Sequence, residues 1–325
     1  DAVSWFDPSH GWTTSTTFTS AEVPFLKNFF KTNSVTQDYG KSWEKTLSAS
    51  NYLFPESGNG KKPDQGWTTE WPHPLNSPSG TPDQTFRSLW RHSPYSDEYL
   101  SQLAIHSVDT LKLGQGESTD YLAIGFSALD YSGHDFGPHS HEVQDILIRL
   151  DRTIGNLLDH LDQTVGLGEY VVALTADHGV SPIPEQIVKL KIDSGRIDSK
   201  SVAESVENIL TKAWGPGQFV ALVEHTDLFF KSGVYEKLQA DPPLLDAVIN
   251  SLLAIPGIER VYRGNELDVH QMTDDSPRRA AALSYDRERS GDLIMVPRAY
   301  WLTSKDAASH GTSHHYNTRV PILLM

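Results

Sequence analysis

Cysteine is absent from the 325 residues, which excludes disulfide scaffolds and thiolate metal sites and leaves imidazole and carboxylate as the good metal ligands. Long apolar runs are missing too. No stretch approaches the roughly 18 consecutive apolar residues that a membrane span needs, and no charged region followed by an apolar one opens the chain as a signal peptide would. No membrane span is expected. Positive charge is scarce: 27 Lys and Arg stand against 42 Asp and Glu, a formal net charge of -15. Such a surface repels polyanions at long range and argues against a general nucleic-acid binder. An anionic substrate needs a local positive charge to draw it in. What is present is 38% hydrophobic and 21% charged residues with 14 histidines, a globular composition that rules out disorder and collagen.

Both ends have the look of cuts. The chain starts at Asp1, runs at once into Val3-Ser4-Trp5-Phe6, and stops in the apolar run Val320 to Met325, which reads as a strand without its following turn. A fragment is expected, with partners of its chemistry lying upstream.

Residues 1 to 118 are rich in Trp, Pro, Ser, Thr and Gly, with an amphipathic piece at Val23 to Phe30 and a loop-like stretch from Ser57 to Gln84. Loops of that length are often functional lids. Tyr121 to Phe126 is a nearly continuous apolar run, as expected of a strand buried on both faces of a parallel sheet. Val143, Ile146, Leu150, Ile154, Leu157, Leu158 and Leu161 recur at helical spacing, with Asp145 one turn before Arg149, and predict a helix over Glu142 to Leu161. Tyr170 to Ala176 then reads as a second buried strand. Strand, helix, strand predicts a right-handed β-α-β unit and an α/β fold. From about Gln186 to Asp286 the pattern changes to a helix near Val202 to Ala213, a strand at Phe219 to Phe230, a helix at Leu244 to Leu253 and a strand at Ile258 to Tyr262. An inserted α+β subdomain is expected over 186–286, flanked by a core of 1–185 and 287–325, with Leu293 to Val296 resuming that core.

Asp130 and His134 stand four apart just past the first expected strand, the end at which open α/β sheets bind ligands. Both could reach one cation. A helix N-cap by Asp130 or Ser132, with His134 merely solvated, is the alternative. Asp177-His178 offers a second carboxylate and imidazole at the end of the second strand, and Gly179 beside it permits a sharp turn there. Asp159-His160 is the same dipeptide on the intervening helix, and is assigned to solvent. Ser309-His310-Gly311 puts His310 on a loop before the last strand, with His314 and His315 as competing ligands. Taken together, Asp130, His134, Asp177, His178 and a loop histidine supply oxygen and nitrogen donors for two borderline cations such as zinc. Two divalent ions bring about +4 against about -2 from the aspartates, a local surplus that suits a dianion such as a phosphate ester. No Ser or Thr lies in a motif that marks an activated nucleophile.

The run Thr119 to Pro138 through Asp130-Tyr131-Ser132-Gly133-His134, then Thr175-Ala176-Asp177-His178-Gly179, Arg289-Ser290-Gly291-Asp292, His310-Gly311 with Tyr316 and Val320-Pro321 resembles the alkaline phosphatase superfamily. The resemblance is greatest to bacterial single-chain enzymes of the PafA type, which also carry a stretch like Trp5-Phe6-Asp7. It implies a doubly wound, mainly parallel sheet flanked by helices, and a two-zinc phosphomonoesterase, with Mg2+ or another divalent ion as an alternative metal. Asp130, His134 and His310 correspond to the ligands of one zinc, and Asp177 and His178 to ligands of the other. A further Asp ligand, the Thr or Ser nucleophile, an asparagine and a Lys/Arg phosphate clamp are expected upstream, so this chain alone is expected to be inactive. The implied partner is a small-molecule phosphate ester, and the implied location is the periplasm or the exterior. Asn317 stands where the family usually has Asp, and His314-His315 is unusual; Asn317 is expected to alter the orientation of His310 rather than to abolish metal binding. Phosphodiesterase, nucleotide pyrophosphatase, sulfatase and phosphonate hydrolase activities stay open within the same fold. A non-catalytic metal-binding domain is the reading from another class, and the oligomeric state is left open.

Overall fold

The computed structural model describes residues 2–18, 23–64, 66–267 and 276–325. Gln65 in the expected Ser57 to Gln84 loop and residues 268–275 in the expected subdomain lie outside the described residues. Two compact units emerge: Asp1–Thr175 with Ile322–Met325, and Ala176–Pro321.

The first unit begins with an antiparallel pair, β1 (Trp5–Asp7) and β2 (Gly11–Thr13), followed by α1 (Pro24–Thr32). A second short pair joins β3 (Ser42–Trp43) to β4 (His73–Pro74). Then come α2 (Gln84–Arg91), α3 (Pro94–Leu111), α4 (Ala128–Phe136), α5 (His141–Leu161) and β5 (Ala173–Thr175). The Trp-rich composition becomes an aromatic core in which Trp43, Phe86, Trp90 and Phe136 are fully buried, and Trp12 stacks on Phe30 and Tyr99. Helix starts follow local chemistry. Asp83 accepts the Phe86 N–H, Ser140 accepts the Val143 N–H, and Pro94 opens α3.

The expected Asp145–Arg149 pair on α5 forms at 2.9 Å, and it belongs to a buried hub. Asp145 also accepts Trp43 Nε1, Thr46 N and the Tyr52 hydroxyl. Burial alone pushes its carboxyl up; those donors outweigh the burial and hold it below the usual carboxylate range. Lys61 donates to both oxygens of Glu142 at 3.0 and 2.8 Å, with the two side chains almost wholly buried. The proline- and glycine-rich stretch is therefore pinned to α5 by buried charge rather than left free as a lid.

The expected β-α-β unit is the main local departure. Residues 119–127 form neither helix nor strand, and Tyr121 is 90% exposed. β5 is shorter than the expected Tyr170 to Ala176 strand and exposed, and it pairs antiparallel with Ile322–Leu324. A continuous apolar run marks a segment fit to be a strand, but hydrogen-bond pairing needs a neighbour laid beside it, which the run does not specify.

In the second unit, α6 (Pro184–Ile187) and β6 (Gly195–Arg196) precede α7 (Ser199–Trp214), the hairpin β7 (Val220–Glu224) and β8 (Asp227–Phe230), α8 (Val234–Gln239), α9 (Pro242–Leu253) and β9 (Ile258–Arg263). α10 (Ser276–Ser284), β10 (Leu293–Pro297), β11 (Trp301–Leu302) and α11 (His315–Thr318) follow. The four longer strands form an antiparallel sheet in the order β7-β8-β10-β9. Val202, Val206 and Leu210 of α7 and Leu245, Val248 and Leu252 of α9 supply the apolar stripes that join its core. β10 was expected to return to the main core; instead it is buried along its length between β8 and β9. β11 lies parallel to β6. The last strand, β12 (Ile322–Leu324), is the partner of β5 in the first unit. Helices and strands interleave along the chain, an α/β molecule.

Candidate metal centre

In the first unit α4 carries Asp130 and His134 one turn apart, so helix geometry alone puts both side chains on one face. The Asp130 Oδ1 to His134 Nε2 distance is 3.6 Å. Neither residue follows a strand as expected, and the capping alternative does not hold either. Asp130 lies inside the first turn, Ser132 Oγ donates to the His92 carbonyl at 2.6 Å, and Ser127 at the N-cap makes no side-chain capping bond. The cap comes from α3: Asp97, buried, accepts the Ala128 N–H at 3.3 Å. Burial pushes the Asp97 carboxyl up to about 7, against the pull of the Ala128 and Ser127 N–H groups, and its second oxygen has no hydrogen-bond partner. Phe136 and Ala128 fix the inner face of α4 in the aromatic core.

In the second unit Asp177, His178 and His310 converge on loops. The Asp177 Oδ2 to His178 Nε2 distance is 3.5 Å, and the His178 and His310 rings stack with centroids 3.5 Å apart. Backbone bonds bring them together: Gly179 N donates to Asn317 O at 2.8 Å and Ser181 N to Ser309 O at 2.9 Å. These bonds zip residues 179–181 to both ends of the 309–317 loop. Gly179 is required for a reason other than the turn inferred from sequence. A Cβ on it would stand 2.1 Å from the Tyr316 carbonyl oxygen, so the close approach of two backbones excludes any side chain.

Asn317 is buried, accepts the Thr312 N–H and hydroxyl, and donates to Gly179 O at 3.4 Å. It ties the His310 loop to the His178 turn. From sequence Asn317 is expected only to alter the orientation of His310, and Ser181, Ser309 and Thr312 have no role, because their contributions are tertiary hydrogen bonds without a spacing signature. Of the competing histidines, His314 Nε2 meets the Pro297 carbonyl at 2.9 Å and His315 is exposed at the start of α11. His160 pairs with Asp109 of α3 at 2.9 Å.

The distances separate two kinds of Asp–His pair. His92–Asp135 at 2.8 Å and His160–Asp109 at 2.9 Å are ordinary hydrogen-bonded pairs. Asp130–His134 and Asp177–His178, at 3.6 and 3.5 Å, are too wide for a good hydrogen bond. They suit two donors of one tetrahedral ion, which stand about 3.4 Å apart when each metal–ligand bond is about 2.1 Å. The donor chemistry, imidazole with carboxylate, fits a borderline divalent cation.

Comparison with known proteins agrees in fold. The chain is 27% identical to the protein named calcium-transporting ATPase of Myroides odoratus, over 100% of this chain and 60% of the relative. It is 26% identical to alkaline phosphatase PafA of Elizabethkingia meningoseptica, over 99% of this chain and 59% of the relative. The crystal structure of wild-type PafA matches with a TM-score of 0.84 at 25% identity, covering 99% of this chain and 62% of that one. The chain thus spans about three fifths of the length of the curated relatives it matches, and it shares the PafA α/β fold. Residues 3–317 match the family described as type I phosphodiesterase / nucleotide pyrophosphatase. The chain belongs to that family, within the alkaline phosphatase superfamily.

Proposed function

We propose that this chain is part of a metal-dependent hydrolase of phosphate esters, with monoesters as its substrates. The observation that carries the reading is the pair of wide Asp–His spacings, 3.6 Å on α4 and 3.5 Å at Asp177–His178. Asp130, His134 and His310 hold one ion, and Asp177 and His178 hold the other; zinc is the ion the donor set favours. Two such ions, when bound, supply positive charge for the phosphoryl group and the leaving oxygen. The protein's own contribution is orientation. α4 presents its two donors at fixed spacing, and the Gly179–Asn317 and Ser181–Ser309 bonds hold His178 and His310 in register. The nucleophile and the phosphate clamp are assigned to the part of the complete protein upstream of this chain, and the protein to the periplasm or exterior. No described helix is long and apolar enough to cross a membrane.

The test uses the complete protein with a monoester, a diester and a sulfate ester. Highest kcat/KM on the monoester is expected, and a diester preference, which the family description favours, overturns the monoesterase assignment. Metal is read separately. Chelation should lower the melting temperature of this chain. His310→Ala should reduce bound zinc, whereas His160→Ala, whose ring is paired with Asp109, should leave it unchanged. Equal zinc in both variants sinks the site.

A further inference from the structure

The second unit holds a cleft of about 320 Å3 that opens beside Asp177 and His178, and its size is that of a small-molecule site. One wall is apolar, built by Ala280 and Ala281 of α10 and by Ile294 of β10. The lining also includes polar, uncharged groups: Thr226, Ser290 and the Tyr285 phenol. Burial pushes the Tyr285 hydroxyl above its ordinary range, so it stays protonated and able to donate.

Among the described lining residues the carboxylates are Asp177 and Asp227, beside the His178 imidazole, and there is no Lys or Arg. Asp227 is locked in place, its Oδ1 accepting Gly291 N at 2.6 Å and its Oδ2 accepting the Thr226 hydroxyl at 3.3 Å. A further phosphate on the alcohol would meet the Asp227 carboxylate, which is assigned to neither ion, with no Lys or Arg among the described lining residues to balance it. An uncharged, partly apolar group would cover the Ala281 and Ile294 surface and leave the polar lining satisfied.

We propose that this cleft binds the organic side of the ester, an uncharged aryl or alkyl alcohol, and discriminates against alcohols that carry a further phosphate. The assignment rests on the hydrolase reading above for its place in a reaction, but its binding chemistry stands apart from turnover. The region of 186–286, expected from sequence to be an insertion, contributes Thr226, Asp227, Tyr285 and the α10 wall, and would thereby take part in substrate choice.

The test begins with binding to this chain labelled at its isoleucine methyls, with the Ile294 signal identified by Ile294→Val. Phenol is expected to shift the Ile294 methyl and not that of Ile146, which is buried in the aromatic core of the first unit; inorganic phosphate should leave Ile294 in place. Ala281→Trp, which fills the cleft, should weaken phenol binding by about tenfold, the scale of one lost aromatic contact. In the complete protein the same variant should lower kcat/KM for phenyl phosphate and leave methyl phosphate, which has no group to place there, unaffected. Phenol that does not move Ile294, or that binds Ala281→Trp equally well, overturns the proposal whether or not esters are hydrolysed. Phenol binding at Ile294 without hydrolysis of either ester overturns the hydrolase reading and leaves the cleft assignment standing.

Discussion

The two sets of candidate metal ligands, one in each unit, are built by opposite means. Asp130 and His134 owe their spacing to the helix they share, so backbone hydrogen bonds within α4 hold them, and the rest of the unit needs only to cap and anchor that helix. Asp177, His178 and His310 owe theirs to two loops joined by a few tertiary bonds, with a glycine at the contact and a buried amide across it. The first arrangement tolerates change around it, whereas the second has little slack. A single added methyl group distinguishes them.

Gly179→Ala should have the largest effect. Its Cβ would collide with backbone, the Tyr316 carbonyl oxygen, rather than with a side chain that can swing away. Overpacking of this kind costs about 3 kcal/mol, and relief requires the 309–317 loop to leave. Denaturant unfolding should show the loss, and bound zinc should fall with it. Wild-type stability and zinc content in this variant would mean that the loop contact is dispensable.

Asp97→Asn probes the helix half through pH. The free-chain carboxyl has a pKa of about 3.9, and burial raises it in the fold to about 7. Because the folded value lies above the unfolded one, the folded protein binds the extra proton between these limits. Stability is therefore highest below about pH 4, falls as pH rises toward 7, and is level above that. Asparagine keeps an acceptor for the Ala128 N–H and carries no charge. The variant should melt higher than wild type at pH 8, by the equivalent of about 2–3 kcal/mol, and match it at pH 4. Equal melting temperatures at pH 8 would show that Asp97 is not penalised by its burial. Asn317→Ala should cost less, about 1–2 kcal/mol, since it leaves the Thr312 N–H without its partner while the backbone bond from Gly179 to Asn317 O survives. Its mark is a weaker hold on zinc at a modest change in melting temperature.

Legibility in the sequence followed the same division. Periodicity located α5 to within a residue at its start, and it located α7 and α9, because a helix and its buried stripe are local in the chain. The one-turn spacing of Asp130 and His134 was legible, although the helix beneath them was taken for the region just past a strand. The apolar run at Tyr121 to Phe126 misled, and β10 was assigned to the wrong sheet. An apolar run resembles a strand wherever it ends up, and the choice of partner is made by residues far away in the chain. His310 was legible as one of three loop histidines and was singled out from His314 and His315 only by resemblance, as Asn317 was, since no spacing links them to His178. Gly179 was noticed for the right position and the wrong reason: the constraint is an approaching carbonyl, which leaves no local trace.

Gly133→Ala is the counterpart of the change at Gly179 and should have the smallest effect, with the opposite sign. Gly133 lies between Asp130 and His134 in α4, and nothing stands within 4 Å of the Cβ it would gain, outside its own helix. The substitution removes unfolded-chain freedom and improves helix propensity, so it should stabilise by about 0.5–1 kcal/mol. Bound zinc should be unchanged, because the donors keep their helical spacing. A Gly133→Ala variant that loses zinc would show that α4 must flex or be approached closely for the metal to enter. In that case the helical half is no more tolerant than the loop half, and the contrast between them fails.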